Sequence, residues 1–149
     1  MSRSVKKNDK LKALLDYAKG NAIVHSAFGF SYGLLTIFAG DALWAGGRTY
    51  ETANSLPYAP QSWGTIAIVF DGVIAIGSIK KTNSERWIRW GCFGLAAWCF
   101  VFAIFFLIDS IAHWTPFGLP GVVVYGYSAL LMIHRSVLGE RLSVGDDPA

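Results

Sequence analysis

QSWGTIAIVFDGVIAIGSI, Gln61 to Ile79, carries a single charged residue, Asp71, near its middle. The stretch approaches the roughly 20 apolar residues that a helix needs to cross a bilayer. A carboxylate at mid-depth costs about 2.5–3.5 kcal/mol on insertion scales. Eight strongly apolar residues return about 0.3–0.6 kcal/mol each, so the balance lies near zero. Such a span is marginal alone and needs a neighbour. Its small residues say where that neighbour lies: Gly64, Ala67, Asp71, Ala75 and Ser78 recur at three- and four-residue steps and so share one helical face. The spacing predicts that Asp71 points into a protein seam. The preceding apolar block offers a matching strip, Gly29-Phe30-Ser31-Tyr32-Gly33, then Thr36 and Gly40, and small residues permit close helix approach in lipid.

Working outward, 53% of the 149 residues are hydrophobic, and they come in blocks rather than amphipathic stripes. This predicts an all-α membrane protein with four transmembrane helices over Ala22–Ala45, Gln61–Ile79, Trp87–Asp109 and Phe117–Ile133, arranged as two hairpins. A basic segment, residues 1–21, precedes the transmembrane domain of residues 22–133, and a polar tail, 134–149, follows it. Within the first segment Asn8 to Lys19 reads as a short interfacial helix capped by Asn8 and ended by Gly20, with Leu11, Leu14, Leu15 and Ala18 on one face. Of thirteen basic residues only Arg48 falls on the far side of the first two spans. The positive-inside rule then places both termini in the cytoplasm and the protein in the inner membrane. The basic apron formed by Arg3, Lys6, Lys7, Lys10, Lys12 and Lys19 suits an anionic lipid surface, and the net charge of +3 reflects sorting rather than nucleic-acid binding.

Trp44, Trp63, Trp87, Trp90 and Trp114 fall at span ends, where indoles settle; Trp98 lies inside the third span. The first and third spans both end in an aspartate and a tryptophan (Asp41 with Trp44, Asp109 with Trp114) ahead of a proline-containing loop. A parallel internal repeat and shared interface chemistry both explain this match. Asp109 and His113 stand four residues apart, with Asp41 at the same depth. That cluster reads as solvated helix ends rather than a metal site, which needs further ligands. Cys92 and Cys99, about 10 Å apart along one helix, read as packing residues. His25 and His134 read as interfacial, and the sequence asks for no cofactor. Nothing matches a nucleotide loop or a nucleophile with its base, so no enzymatic activity is expected.

Asp71 itself has two open roles. No Lys or Arg lies at its depth, so it acts either as a neutral acid bonding a hydroxyl or carbonyl (Ser31, Tyr32, Thr36, Tyr125, Tyr127 or Ser128) or as a proton or ion site. The stretch Leu56-Pro57-Tyr58-Ala59-Pro60-Gln61-Ser62-Trp63-Gly64 resembles hairpins of small multi-span membrane proteins of tailed phages and their actinobacterial hosts, some of them holin-like. The resemblance covers the first hairpin and carries no catalytic residue. The small extramembrane mass, the basic apron and the mid-depth acid lead to the expectation of a self-associating, holin-like protein, a homo-oligomer that permeabilises or remodels the membrane, with the small-residue face around Asp71 mediating assembly. The rival expectations are a transporter or channel subunit using Asp71, and a structural or regulatory subunit of a larger membrane complex.

Overall fold

The computed structural model describes residues 2–45, 48–80 and 82–143, with side chains over 13–45, 48–80 and 82–138. Lys81, Gly46, the side chains of Arg3, Lys6, Lys7, Asn8, Lys10, Leu11, Lys12 and Arg141, and the tail from residue 144 lie outside the described residues. The chain is helical, with α1 at Ser2–Trp44, the short α2 at Glu51–Asn54, α3 at Gln61–Ile79, α4 at Ser84–Ala112 and α5 at Leu119–Ser143. Single 3-10 turns, Arg48–Tyr50 and Pro116–Gly118, precede α2 and α5. Among the described residues four helices are long and apolar enough to span a membrane: Ala13–Trp44, Gln61–Ile79, Ser84–Ala112 and Pro116–Leu138.

The second span matches its expected bounds because both ends carry stop chemistry. Pro60, at the N-cap position, has no N–H to leave unpaired, while Lys80 turns to extended backbone and Ser84 Oγ donates to the Gly77 carbonyl at 2.7 Å. The first span differs from expectation. No break separates an interfacial helix from it: α1 runs through Gly20 as one helix of 43 residues. The lysine, leucine and alanine residues of this region are strong helix formers, and one glycine costs only about 1 kcal/mol. At the helical rise α1 is about 64 Å long, roughly twice the hydrocarbon thickness. The fourth helix also outruns its expected end at Ile133, reaching Ser143.

The helices pack in a row, α1 on α3, α3 on α4 and α4 on α5, with slim contact from α1 to α4 and α5. Helix α4 is the centre, with 56% of its apolar window buried against 33% or less for the others. Its core is aromatic: the Phe102 ring, 1% exposed, touches Trp63 at 4.9 Å, Trp98 at 4.7 Å and Tyr125 at 5.4 Å between centroids. Trp44 and Trp63, expected at the interface, turn inward to this core and are buried, whereas Trp87, Trp90 and Trp114 are exposed. A buried Trp satisfies its N–H inside the protein: Trp63, at a span end, donates to the Ala53 carbonyl at 3.0 Å, and Trp98, within its span, to the Trp63 carbonyl at 3.1 Å.

Close approach of backbones makes the α1–α3 seam. A Cβ on Gly33 would stand 2.8 Å from the Gly64 carbonyl oxygen, and one on Gly64 would stand 2.5 Å from the Gly33 carbonyl. Gly33→Val is therefore expected to destabilise the protein by about 1–3 kcal/mol. Gly20→Ala, whose methyl meets nothing within 4 Å, should be neutral or stabilising by up to about 1 kcal/mol. Denaturant titration in detergent, followed by circular dichroism, checks both; equal effects would remove the seam from the account.

Candidate functional site

Asp71 lies in this seam, 2% exposed. It faces Gly29 of α1 so closely that a Cβ there would stand 2.7 Å from Oδ2 and 3.0 Å from Oδ1. Gly29 is thus the residue whose missing side chain makes room for the carboxylate. Gly64, Ala67 and Asp71 are buried, but the buried strip then continues through Ile74 and Gly77, while Ala75 is exposed and Ser78 half-buried. Gly91 of α4 explains the shift: a Cβ at Gly91 would stand 2.5 Å from Ile74 Cγ1, so that glycine opens the room Ile74 fills. Beyond Asp71 the helix turns its buried face from α1 towards α4.

None of the hydroxyls expected to serve Asp71 does so. Thr36 Oγ1 donates to the Tyr32 carbonyl at 2.8 Å, Ser128 Oγ to the Val124 carbonyl at 2.8 Å, Ser31 and Tyr127 are exposed, and Tyr125 is stacked in the aromatic core. Ser26 comes nearest, its Oγ donating to the backbone carbonyl of Asp71 at 3.4 Å. Neither carboxylate oxygen has a hydrogen-bond partner among the described residues. The arrangement can take up or release a proton. Among the described residues no group of three His, Cys, Asp or Glu side chains could hold a metal.

No protein-family model matches the chain, and no curated protein or solved structure resembles it significantly.

The polar residues expected together at the other depth are divided between two tasks. Asp41 is exposed and accepts from Gln61 Nε2 at 3.2 Å, tying the end of α1 to the start of α3. Asp109 is not solvated but 2% exposed. It accepts the Thr52 backbone N–H at 3.2 Å and the Thr52 hydroxyl, so it meets one of the unpaired donors at the start of α2. His113 Nε2 pairs with Glu51 Oε2 at 2.7 Å. The indole of Trp63 holds the Ala53 carbonyl at the other end of α2, and Tyr50 stacks on Trp44 at 4.8 Å. The loop is therefore bolted to the bundle at both ends of α2.

At the opposite end lies a clamp that counting charges missed. Arg135, 3% exposed, donates through Nε to the Ala18 carbonyl at 2.9 Å and through Nη2 to Glu85 Oε2 at 2.9 Å. One side chain thus joins α5, α1 and α4. The only sequence signal was Glu85, an acid placed among basic residues at the start of α4.

Two outcomes follow for the loop. Asp109→Ala should leave the Thr52 amide unpaired, cost about 1–3 kcal/mol and speed hydrogen exchange at that amide; unchanged exchange would refute the cap. Burial, followed by the neighbouring Tyr32, pushes the Tyr50 hydroxyl up from 10.0 to about 12. A folded value above the unfolded one means stability that is complete below pH 10 and lost as pH rises towards 12. Tyr50→Phe should flatten that loss in alkaline unfolding curves.

Proposed function

We propose that this chain is a small, self-associating protein of the inner membrane that permeabilises or remodels the bilayer, holin-like, and that its sealed form turns on Asp71. One observation carries the reading: a buried mid-span carboxylate with no partner for either oxygen among the described residues, lying against the backbone of Gly29. The neutral acid suits that seam. The ionised acid is a lone buried charge, a situation worth on the order of 3–5 kcal/mol when a buried partner is missing. Parting α1 from α3 admits water and relieves it. Opening also withdraws the Tyr32 ring of α1 from Trp98, Phe102 and Tyr125, so the relief of the buried charge has to outweigh that loss.

In this reading both termini and every basic residue except Arg48 face the cytoplasm, as the positive-inside rule asks, and the four spans work as two hairpins. The repeat between halves is shared interface chemistry, a view supported by opposite environments: Asp41 is exposed where Asp109 is buried, and Trp44 is buried where Trp114 is 94% exposed. The face of Gly64, Ala67 and Asp71 is taken by α1 of the same chain, so self-association falls to the outward faces. The reading includes no catalysis, cofactor or nucleic acid.

The same unpartnered carboxylate favours a second reading, a transporter or channel subunit in which Asp71 passes a proton or ion without wider opening. Vesicles loaded with carboxyfluorescein and a pH reporter separate the two. Wild type should release the dye increasingly as pH rises, and Asp71→Asn should retain it while keeping its thermal stability. Proton flux without dye release supports the second reading. Wild-type protein that passes neither sinks both.

A further inference from the structure

The end of the bundle that carries Arg135 has a cleft neither reading uses. It lies between α3 and α4, with a volume of about 510 Å³, and is lined by Val73 of α3 and by Asn83, Arg86, Trp87 and Trp90 at the start of α4. Asn83, the N-cap residue, and Arg86, Trp87 and Trp90 recur at three- and four-residue steps and so share one face of the helix. Trp87 and Trp90 are 38% and 55% exposed. Val73 lies seven residues before Lys80, where α3 ends, which is about 10 Å at the helical rise in a leaflet about 15 Å deep. The cleft therefore runs from a polar rim, Asn83 and Arg86, to an apolar floor within the span.

Charge on this rim has one sign. Arg86 is exposed and has no ion pair among the described residues. Lys80 adds a second cation, its Nζ 4.2 Å from the ring centroid of Trp87, which walls the cleft. Glu85 is the only acid between Asp71 and Asp109 in the sequence, and Arg135 already engages it at 2.9 Å. Guanidinium groups match phosphate geometry, and indoles settle at headgroup level. Lys80 also decides which phosphate suits the cleft. A headgroup ammonium is drawn to an indole face, but one face of Trp87 already carries a cation. A zwitterionic choline headgroup therefore meets a like charge where an anionic headgroup does not.

We infer that the α3–α4 cleft is a binding site for one anionic phospholipid, its phosphate on Arg86 and its upper acyl carbons against Val73 and Trp90. A free phosphate would use Arg86 and leave that apolar floor uncovered. The site is local, whereas the amino-terminal lysine apron would attract an anionic surface without choosing a place. It goes beyond the proposed function, because it needs neither Asp71 nor any opening.

Native mass spectrometry of the purified full chain, titrated with phosphatidylglycerol, with phosphatidylcholine of the same acyl chains and with inorganic phosphate, tests it. One phosphatidylglycerol should bind ahead of all others and more tightly than phosphatidylcholine, and inorganic phosphate should not displace it. Arg86→Gln should weaken that first event about fivefold, the worth of one basic residue at an anionic surface, and Arg86→Lys should recover only part. Arg89, which lines a separate cavity on the α5 side of Trp90, is the control: Arg89→Gln should weaken the event less than Arg86→Gln does. Lys80→Gln should narrow the preference between the two lipids by freeing the Trp87 face for choline. Arg86 and Lys80 are exposed, so both variants should keep the wild-type melting temperature. Equal binding of the two lipids by the wild type overturns the site, as does displacement of the lipid by inorganic phosphate. So does an unaltered first event in Arg86→Gln, an unaltered preference in Lys80→Gln, or complete loss of the event when Lys6, Lys7 and Lys10 alone are changed to Gln.

Discussion

Everything else in this fold depends on how closely the backbones of α1 and α3 approach. Between helices in lipid there is no hydrophobic gain from leaving water, so contact must come from packing and hydrogen bonds. Here Gly33 and Gly64 each lie where a methyl would meet the other's carbonyl, and Gly29 does the same for the Asp71 carboxylate. The seam makes a marginal span viable by removing its one charged position from lipid. It also encloses an acid whose carboxylate oxygens have no hydrogen-bond partner among the described residues.

The two ends of the bundle are secured by different means. At the loop end, Asp109, His113 and Trp63 hold the single turn of α2 by its backbone and side chains, which closes the aromatic core from above. At the other end, Arg135 joins three helices through one guanidinium. Between them the contact from α1 to α4 and α5 is slim. Stability is shared among the two ends, the glycine seam and the aromatic core, which the Tyr32 ring joins from the middle of α1.

Much of this was legible because it rests on local chemistry. The bounds of α3 follow from Pro60 and Lys80, and the α1–α3 contact follows from small residues spaced by helical turns. Ala75 failed where the spacing alone could not choose between it and Ile74; the choice is made by Gly91 on a helix not adjacent in that strip. The continuity of α1 through Gly20 was obscured because one glycine in a run of strong helix formers costs too little to end it. Asp109 and His113 look like one site from their spacing, yet each reaches a different residue of the loop, and the Thr52 partner is 57 positions away. Arg135 read as a marker of orientation because a basic residue at a span end usually is one; its burial depends on Ala18, far off in sequence.

The span lengths also bear on where such a molecule can reside. Helix α3, at 19 residues, is about 28 Å long at the helical rise, whereas α1 and α4 are far longer. The long helices can tilt or protrude, but the short one has no slack. It acts as a gauge: a bilayer much thicker than its apolar length would have to thin locally around it, at a cost of fractions of a kcal/mol per Å of mismatch. The 19 residues of α3 thereby set a hydrocarbon thickness, about 28 Å at the helical rise, at which the bundle fits without such a cost.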